Sequence, residues 1–358
     1  MSVITGTYTL SDLREVDETV INFGEEALGA ALEAERQAHN RRYLDMVGSF
    51  MSLTSEREVN YGMNADSGEL LELNEESRSP TRKKEEAAGV FNLPLKLYGD
   101  AVGWTRDYFL KTSVRDVANE MTTIENRDIK TLYRITREAL FRSTNYETRD
   151  FLVEGKKLLY IKRLVNADGM TIPNSPEGQS FDPDTHTHYI GATSWNEANA
   201  TPAIDAAINT VREHGHTGNV RLVINATNIT NIKGLSKFEA LKAPLLEYGN
   251  SETRAAGTLD NSQPEDNRFI GVWDGLYQVW TKPWQPAGYG YVYDTQGPRT
   301  LQMRQPAEPI LRGLRFVATV DAHPWRVNEY QHRMGVGVAE RTNGAAIDFT
   351  SGTYSDPL

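Results

Sequence analysis

From Ser113 onward, apolar residues recur at three- and four-residue steps: Val114, Val117, Met121 and Ile124, then Ile129, Leu132, Ile135 and Leu140 on a shifted face. Ser113, followed three residues later by Asp116, resembles a capping box, which satisfies backbone N–H groups left free at a helix start. The pattern predicts a single helix over residues 112 to 143, at about 30 residues far longer than the roughly three turns of an average globular helix. The stripe is too short and irregular for a coiled coil. The helix is therefore expected to lie across a sheet as a backbone element.

Ahead of it, residues 11 to 50 favour helix, with Leu13, Val16, Val20, Ile21, Leu28, Leu32, Tyr43, Leu44 and Val47 as apolar positions whose spacing allows one helix or two. Between 55 and 99 the character changes: Gly62, Gly68, Pro80, Gly89, Pro94 and Gly99 interrupt strand-like runs such as Glu69 to Leu73 and Val90 to Leu97. This predicts a long exposed hairpin. Its tip, ELLELNEESRSPTRKKEE, sets acidic, basic and acidic clusters side by side. Such clusters form either a solvated loop or an arm that pairs with a neighbouring subunit. On the second reading Glu72, Glu75, Glu76, Arg78, Arg82, Lys83 and Lys84 are the candidate contacts.

After the long helix, residues 151 to 163 read as strand and 166 to 187 as a Gly- and Pro-rich loop. Thr201 is expected to cap a helix with Pro202 at its first position, burying Ile204, Ala207, Ile208 and Val211 before Gly215 ends it. Val220 to Ile224 is a short apolar strand, and 249 to 267 a polar surface loop. From Arg268 strands dominate, with turns at Asp274-Gly275, Pro286 to Gly288 and Asn343-Gly344. No period of 20 to 50 residues repeats, which excludes solenoids and propellers.

Composition narrows the function. At 39% hydrophobic and 24% charged residues the chain is neither disordered nor membrane-embedded, and no run nears the roughly 20 apolar residues of a spanning helix. The N-terminus, MSVITGTYTLSDLREVDE, lacks a basic region followed by an apolar one, so no secretory signal is expected. The absence of cysteine excludes disulfides and thiolate metal sites. A net charge of −11 disfavours a surface that clamps nucleic acid, and an acidic wall beside packaged nucleic acid suits a container.

Catalytic signals are sparse. His186 with His188, and His214 with His216, are spaced to share one side of a strand, but no HExxH-type motif accompanies them. They read as ordinary loop histidines, with no metal, and their neighbours Asp184 and Glu213 as solvent contacts. The chain has no GxxxxGK[ST] phosphate loop, GxSxG elbow or strand-linked GxGxxG. Gly335 and Gly337 fit close backbone packing in a strand rather than a phosphate cradle. The sequons at Asn225 and Asn228 carry no weight without a secretory route. Trp273, Trp280 and Trp284 alternate with polar residues as core or interface aromatics. No catalytic residue and no cofactor is expected.

The order of elements is itself informative: N-terminal arm, long hairpin, long helix, mixed domain, then returning strands that end in GVGVAERTNGAAI. It resembles the major capsid protein of tailed bacteriophages, of the Hong Kong 97-type α+β fold. The most specific segments are RFIGVWDGLYQVWTKPWQPAGYGYVYD, residues 268 to 294, and QHRMGVGVAERTNGAAIDF. The resemblance implies an arm over residues 1 to 52 and an extended loop over 53 to 110. It implies a peripheral domain over 111 to 187 with 112 to 143 as spine helix, an axial domain over 188 to 305, and returning strands over 306 to 358.

It further implies assembly of the chain with itself into pentamers and hexamers of a shell enclosing double-stranded DNA without sequence-specific binding. The implied partners are a scaffolding protein, a portal, a maturation protease and a decoration protein, and the implied location is the virion, with no membrane. About 50 residues precede the loop, and the initial Met favours a separate scaffold. Some members seal the shell with a lysine–asparagine isopeptide bond, for which Lys83, Lys84 and Asn343 are the candidates here. Two rival readings remain: an encapsulin-like compartment that packages enzymes, and a metal-dependent enzyme using the histidine pairs.

Overall fold

The computed structural model describes residues 10–48, 50–61, 89–150, 157–165, 167–240 and 268–357. Three helices open it: α1 (Leu10–Glu15), α2 (Val20–Phe23) and α3 (Glu25–Gly48). Strands β1 (Met51–Thr54), β2 (Glu58–Tyr61), β3 (Gly89–Asn92) and β4 (Lys96–Thr105) precede α4 (Arg106–Lys111) and the long α5 (Val114–Phe141). Then come β5 (Tyr146–Arg149), β6 (Leu158–Ile161), β7 (Tyr189–Gly191), α6 (Glu197–Arg212), β8 (Val220–Ile224), α7 (Ile229–Lys233) and β9 (Phe238–Ala240). The last part is all strand: β10 (Phe269–Trp273), β11 (Tyr277–Thr281), β12 (Tyr289–Asp294), β13 (Leu301–Arg304), β14 (Arg315–Ala322), β15 (Trp325–Val338) and β16 (Ala345–Asp348).

Two sheets organise these elements into an α+β protein. One runs β1-β13-β15-β14, with β4 also paired along β15; the other runs β7-β16-β12-β8-β11-β10-β9. Helix α5 has 28 residues, and its Ser113 cap accepts from Asp116 N at 3.1 Å while donating to Asp116 Oδ2 at 2.8 Å. Its first half packs Val114, Val117, Met121 and Ile124 against Leu13, Val20, Leu28 and Phe109. Its second half packs Leu132, Ile135 and Leu140 into a core shared by Tyr43 and Val47 of α3 and by strands of both sheets, including Leu301, Val336, Tyr291 and Tyr289. Helix α6 covers the larger sheet with Ile204, Ala207, Ile208 and Val211.

Three expectations are corrected. The α5 stripe does not continue smoothly through Ile129. At its middle the helix buries Glu125 and Asp128 instead. Asp128 takes His39 Nε2 of α3 at 3.0 Å and His332 Nδ1 of β15 at 2.8 Å. Burial opposes its charge, but these two hydrogen bonds outweigh it and hold the carboxyl below its ordinary value.

Helix α6 starts at Asn196, whose side chain accepts from Asn199 N at 2.9 Å, so Pro202 lies inside the helix rather than at its start. The asparagine cap overrides the proline signal, and Thr201 instead contacts Glu197 Oε1 at 3.1 Å. The segment at Asn343-Gly344 is not a hairpin turn. It carries the chain from β15 in one sheet to β16 in the other.

Candidate assembly surface

The charged tip with Glu72, Glu75, Glu76, Arg78, Arg82, Lys83 and Lys84 lies outside the described residues. Its root does not. Strands β2 and β3 pair antiparallel, from Glu58 with Asn92 to Tyr61 with Gly89, so the intervening chain leaves and re-enters the body at one place. Tyr61 and Phe91 are buried there with Val165 and Ile172. Lys157 Nζ reaches Glu58 Oε1 at 2.9 Å, and Asn92 Oδ1 accepts from Tyr160 N at 3.0 Å. Strand β4, expected within the hairpin, instead pairs antiparallel with β15 over ten residue pairs, from Thr105 opposite Trp325 to Lys96 opposite Met334. Its long register with β15 competes successfully with local pairing.

Two buried arginines brace this root. Arg304 Nη1 donates to Leu93 O at 2.9 Å, and its Nη2 lies 2.9 Å from Asp150 Oδ2. Arg341, stacked near the Tyr61 ring, donates to Arg163 O at 2.7 Å and Asp168 Oδ2 at 2.8 Å. Burial works against the Asp168 charge, but Arg341, Asn145 and Lys162 overcome it and hold the carboxyl at about 2.

The surface also exposes apolar side chains. Phe316, Val317 and Val320 of β14 and Trp325 at the start of β15 are 44%, 43%, 45% and 57% exposed. Among the described residues strand β14 ends its sheet path, so it presents a row of backbone N–H and C=O groups beside that apolar patch. Elsewhere Leu276, in the β10–β11 turn, is 74% exposed and Ile310 80%. That turn has Asp274 at φ 52° and Gly275 at φ 65°, both in the left-handed region, and Leu276 N donates back to Trp273 O at 3.1 Å.

Asn343 is not placed for a cross-link between chains. Its side chain is fully buried: Oδ1 accepts from Asp294 N at 2.8 Å, and Nδ2 donates to the Asp294 and Pro298 carbonyls at 2.9 and 2.7 Å. The amide that a lysine would attack is committed within the subunit. The next residue must be glycine, because a Cβ on Gly344 would strike the Tyr291 hydroxyl.

The remaining candidates sort clearly. Gly335 and Gly337 serve close packing, with Pro94 and Leu93 lying where their Cβ atoms would be. Trp273 and Trp284 are buried core residues. The histidines are not two separate loop pairs: His186, His188 and His214 converge, and His216 turns away to Thr342 Oγ1 at 2.9 Å. Reading each pair within its own segment missed this, because the fold brings the end of α6 beside the chain entering β7.

Among solved structures, a chain in the structure titled "Mycobacterium phage Patience" shares this fold from end to end: the match covers 99% of this chain and 96% of that one, at a TM-score of 0.62 and 18% identity. Two further likenesses are weaker. The structure titled "Capsid of native GTA particle computed with C5 symmetry" matches at 14% identity over 85% of this chain and 90% of that one, with a TM-score of 0.44. The SrpI encapsulin of Synechococcus elongatus PCC 7942 matches at 10% identity over 88% and 90%, with a TM-score of 0.41. No family model matches the sequence, and no curated protein does.

Proposed function

We propose that this chain is the major capsid subunit of a tailed phage, a Hong Kong 97-type protein whose function is geometric. The observation that carries the reading is the end-to-end likeness to the Mycobacterium phage Patience chain, which covers 99% of this chain and 96% of that one. The order of elements in the sequence supports it independently. So do the braced root at β2 and β3 and the exposed apolar edge of β14, which give one subunit several separate places to engage its neighbours. Many modest contacts then sum to a stable closed assembly.

On this reading the charged segment between residues 62 and 88 reaches a neighbouring subunit, and the role is structural, with no catalytic residue. Scaffold, portal, protease and decoration proteins act in trans, and assembly takes place in the host cytoplasm. The acidic chain encloses DNA without gripping it, consistent with its net charge of −11. Among the described residues, no helix is long and apolar enough to cross a membrane.

The contents of particles made beside the neighbouring genes test the finer part of this proposal. Nuclease-protected double-stranded DNA is the expected result. Particles filled with one cargo protein and no DNA would make the shell a compartment instead.

A further inference from the structure

Three imidazoles meet at one point. Nε2 of His186 is 3.2 Å from Nε2 of His188 and 3.0 Å from that of His214, and the third edge is also 3.0 Å. His186 and His188 alternate along the chain entering β7, so they face the same side. His214 arrives from the end of α6, where Gly215 at φ 85° turns the chain. His188 is held at both backbone groups, by Val165 O at 2.8 Å and Ala346 N at 2.9 Å. The Phe181 ring packs against His186 and His214, with centroids 4.7 and 4.1 Å away.

The protons decide what this triangle is for. Nδ1 of His188 lies 2.6 Å from Gly344 O. A carbonyl only accepts, so Nδ1 carries the proton and Nε2 of the neutral ring presents a lone pair to the triangle. Each Nε2 is either a donor or an acceptor, so of three nitrogens in mutual contact at least two must be alike. If His186 and His214 both donate to His188, they meet each other proton to proton. If either accepts, it meets His188 lone pair to lone pair. No placement of protons makes all three contacts favourable, whereas one cation satisfies all three lone pairs together.

We propose that His186, His188 and His214 form a binding site for a divalent transition-metal ion, with zinc as the natural occupant. Tetrahedral zinc with Zn–N bonds of about 2.0–2.1 Å sets its nitrogens roughly 3.3 Å apart, close to the spacing here. An all-imidazole set favours zinc, cobalt, nickel or copper over magnesium and calcium, which take oxygen ligands. The Gly344 carbonyl supplies the outer hydrogen bond that orients a metal-binding histidine. Nδ1 of His214 has no such partner among the described residues, so this outer shell is complete only at His188. The carboxylate Oε1 of Glu213, 3.5 Å from His186 Nε2, lies at the rim and offsets the added charge.

The site ties the irregular loop before β7 to the end of α6 and, through Gly344, to the crossing between the two sheets. It is a clamp within the subunit, independent of whether shells form.

The test uses untagged protein, stripped with chelator and titrated with zinc and separately with cobalt. One zinc per chain is expected to survive gel filtration and to raise Tm in proportion to the logarithm of free zinc. X-ray absorption at the zinc edge should show imidazole scattering. His214→Ala and the half-buried His186→Ala should both lose retention and the Tm shift, while His216→Ala keeps them. Wild-type protein that retains no zinc and shows no shift would overturn the site. So would an oxygen-dominated zinc shell, or equal retention by His186→Ala. The X-ray and wild-type arms need no variant to fold.

Discussion

Arg341, in the last crossing between the sheets, donates from Nη2 to Asp168 Oδ2 at 2.8 Å, across 173 residues of sequence and with both side chains almost fully buried. The pair fastens the segment after β6 to the C-terminal strands beneath the root of the charged loop. Asp168→Asn should cost about 3 kcal/mol, because it strands a buried guanidinium. Its pH signature is specific. The depressed carboxyl, from 3.8 to about 2, contributes stability that is complete above about pH 4 and lost as pH falls through 2. Asp128, also held below its ordinary value, gives a slope of the same sign, so chemical denaturation between pH 2 and 5 should show a shallower slope in the variant than in the wild type.

Glu125 gives the opposite sign. Burial on α5, only partly offset by His39 and Arg42 and reinforced by Glu35, raises its carboxyl from 4.5 to about 6. The folded state therefore holds this proton more tightly than the unfolded chain does, and its share of stability falls as pH rises from about 4.5 through 6. Glu125→Gln should remove that fall and leave the protein more stable at pH 7.5 by about 1 kcal/mol, after allowing for screening by solvent. Equal wild-type and variant stabilities at pH 7.5, measured by urea denaturation, would contradict the assignment.

Two glycines of β15 should respond unequally to alanine. A Cβ at Gly335 collides with the Pro94 carbonyl, which is backbone, whereas at Gly337 it meets Leu93 Cδ2 at 2.7 Å, the end of a side chain able to move. Gly335→Ala should therefore cost about 2–3 kcal/mol and Gly337→Ala about 1 kcal/mol or less. Thermal denaturation of the two variants ranks them directly.

The charged loop makes a prediction about assembly rather than folding. Reversing Arg82, Lys83 and Lys84 to Glu should leave the subunit's Tm within a degree or two and abolish closed shells. Unchanged shell yield would remove the loop from the assembly mechanism.

Much of the fold was legible from local chemistry. The Ser113 cap and the stripe from Val114 to Ile124 marked α5, Asp274-Gly275 marked its hairpin, and Gly335 and Gly337 signalled close packing in β15. What escaped was set by distant partners. Glu125 and Asp128 occupy the buried face of α5 because His39 and His332 come from other elements to meet Asp128. Their spacing on the stripe was visible, but acidic residues ordinarily mark the wet side of a helix. The convergence of His186, His188 and His214 likewise depends on how α6 lies beside β7, and the burial of Asn343 on a crossing between sheets. Neither has a signature within its own segment.

Sedimentation velocity of the chain expressed alone and beside its neighbouring genes, with electron microscopy of any fast fraction, tests the central claim most directly. The account predicts closed particles, or rings and tubes of capsomers, in at least one of these conditions. A small discrete oligomer in both would contradict it.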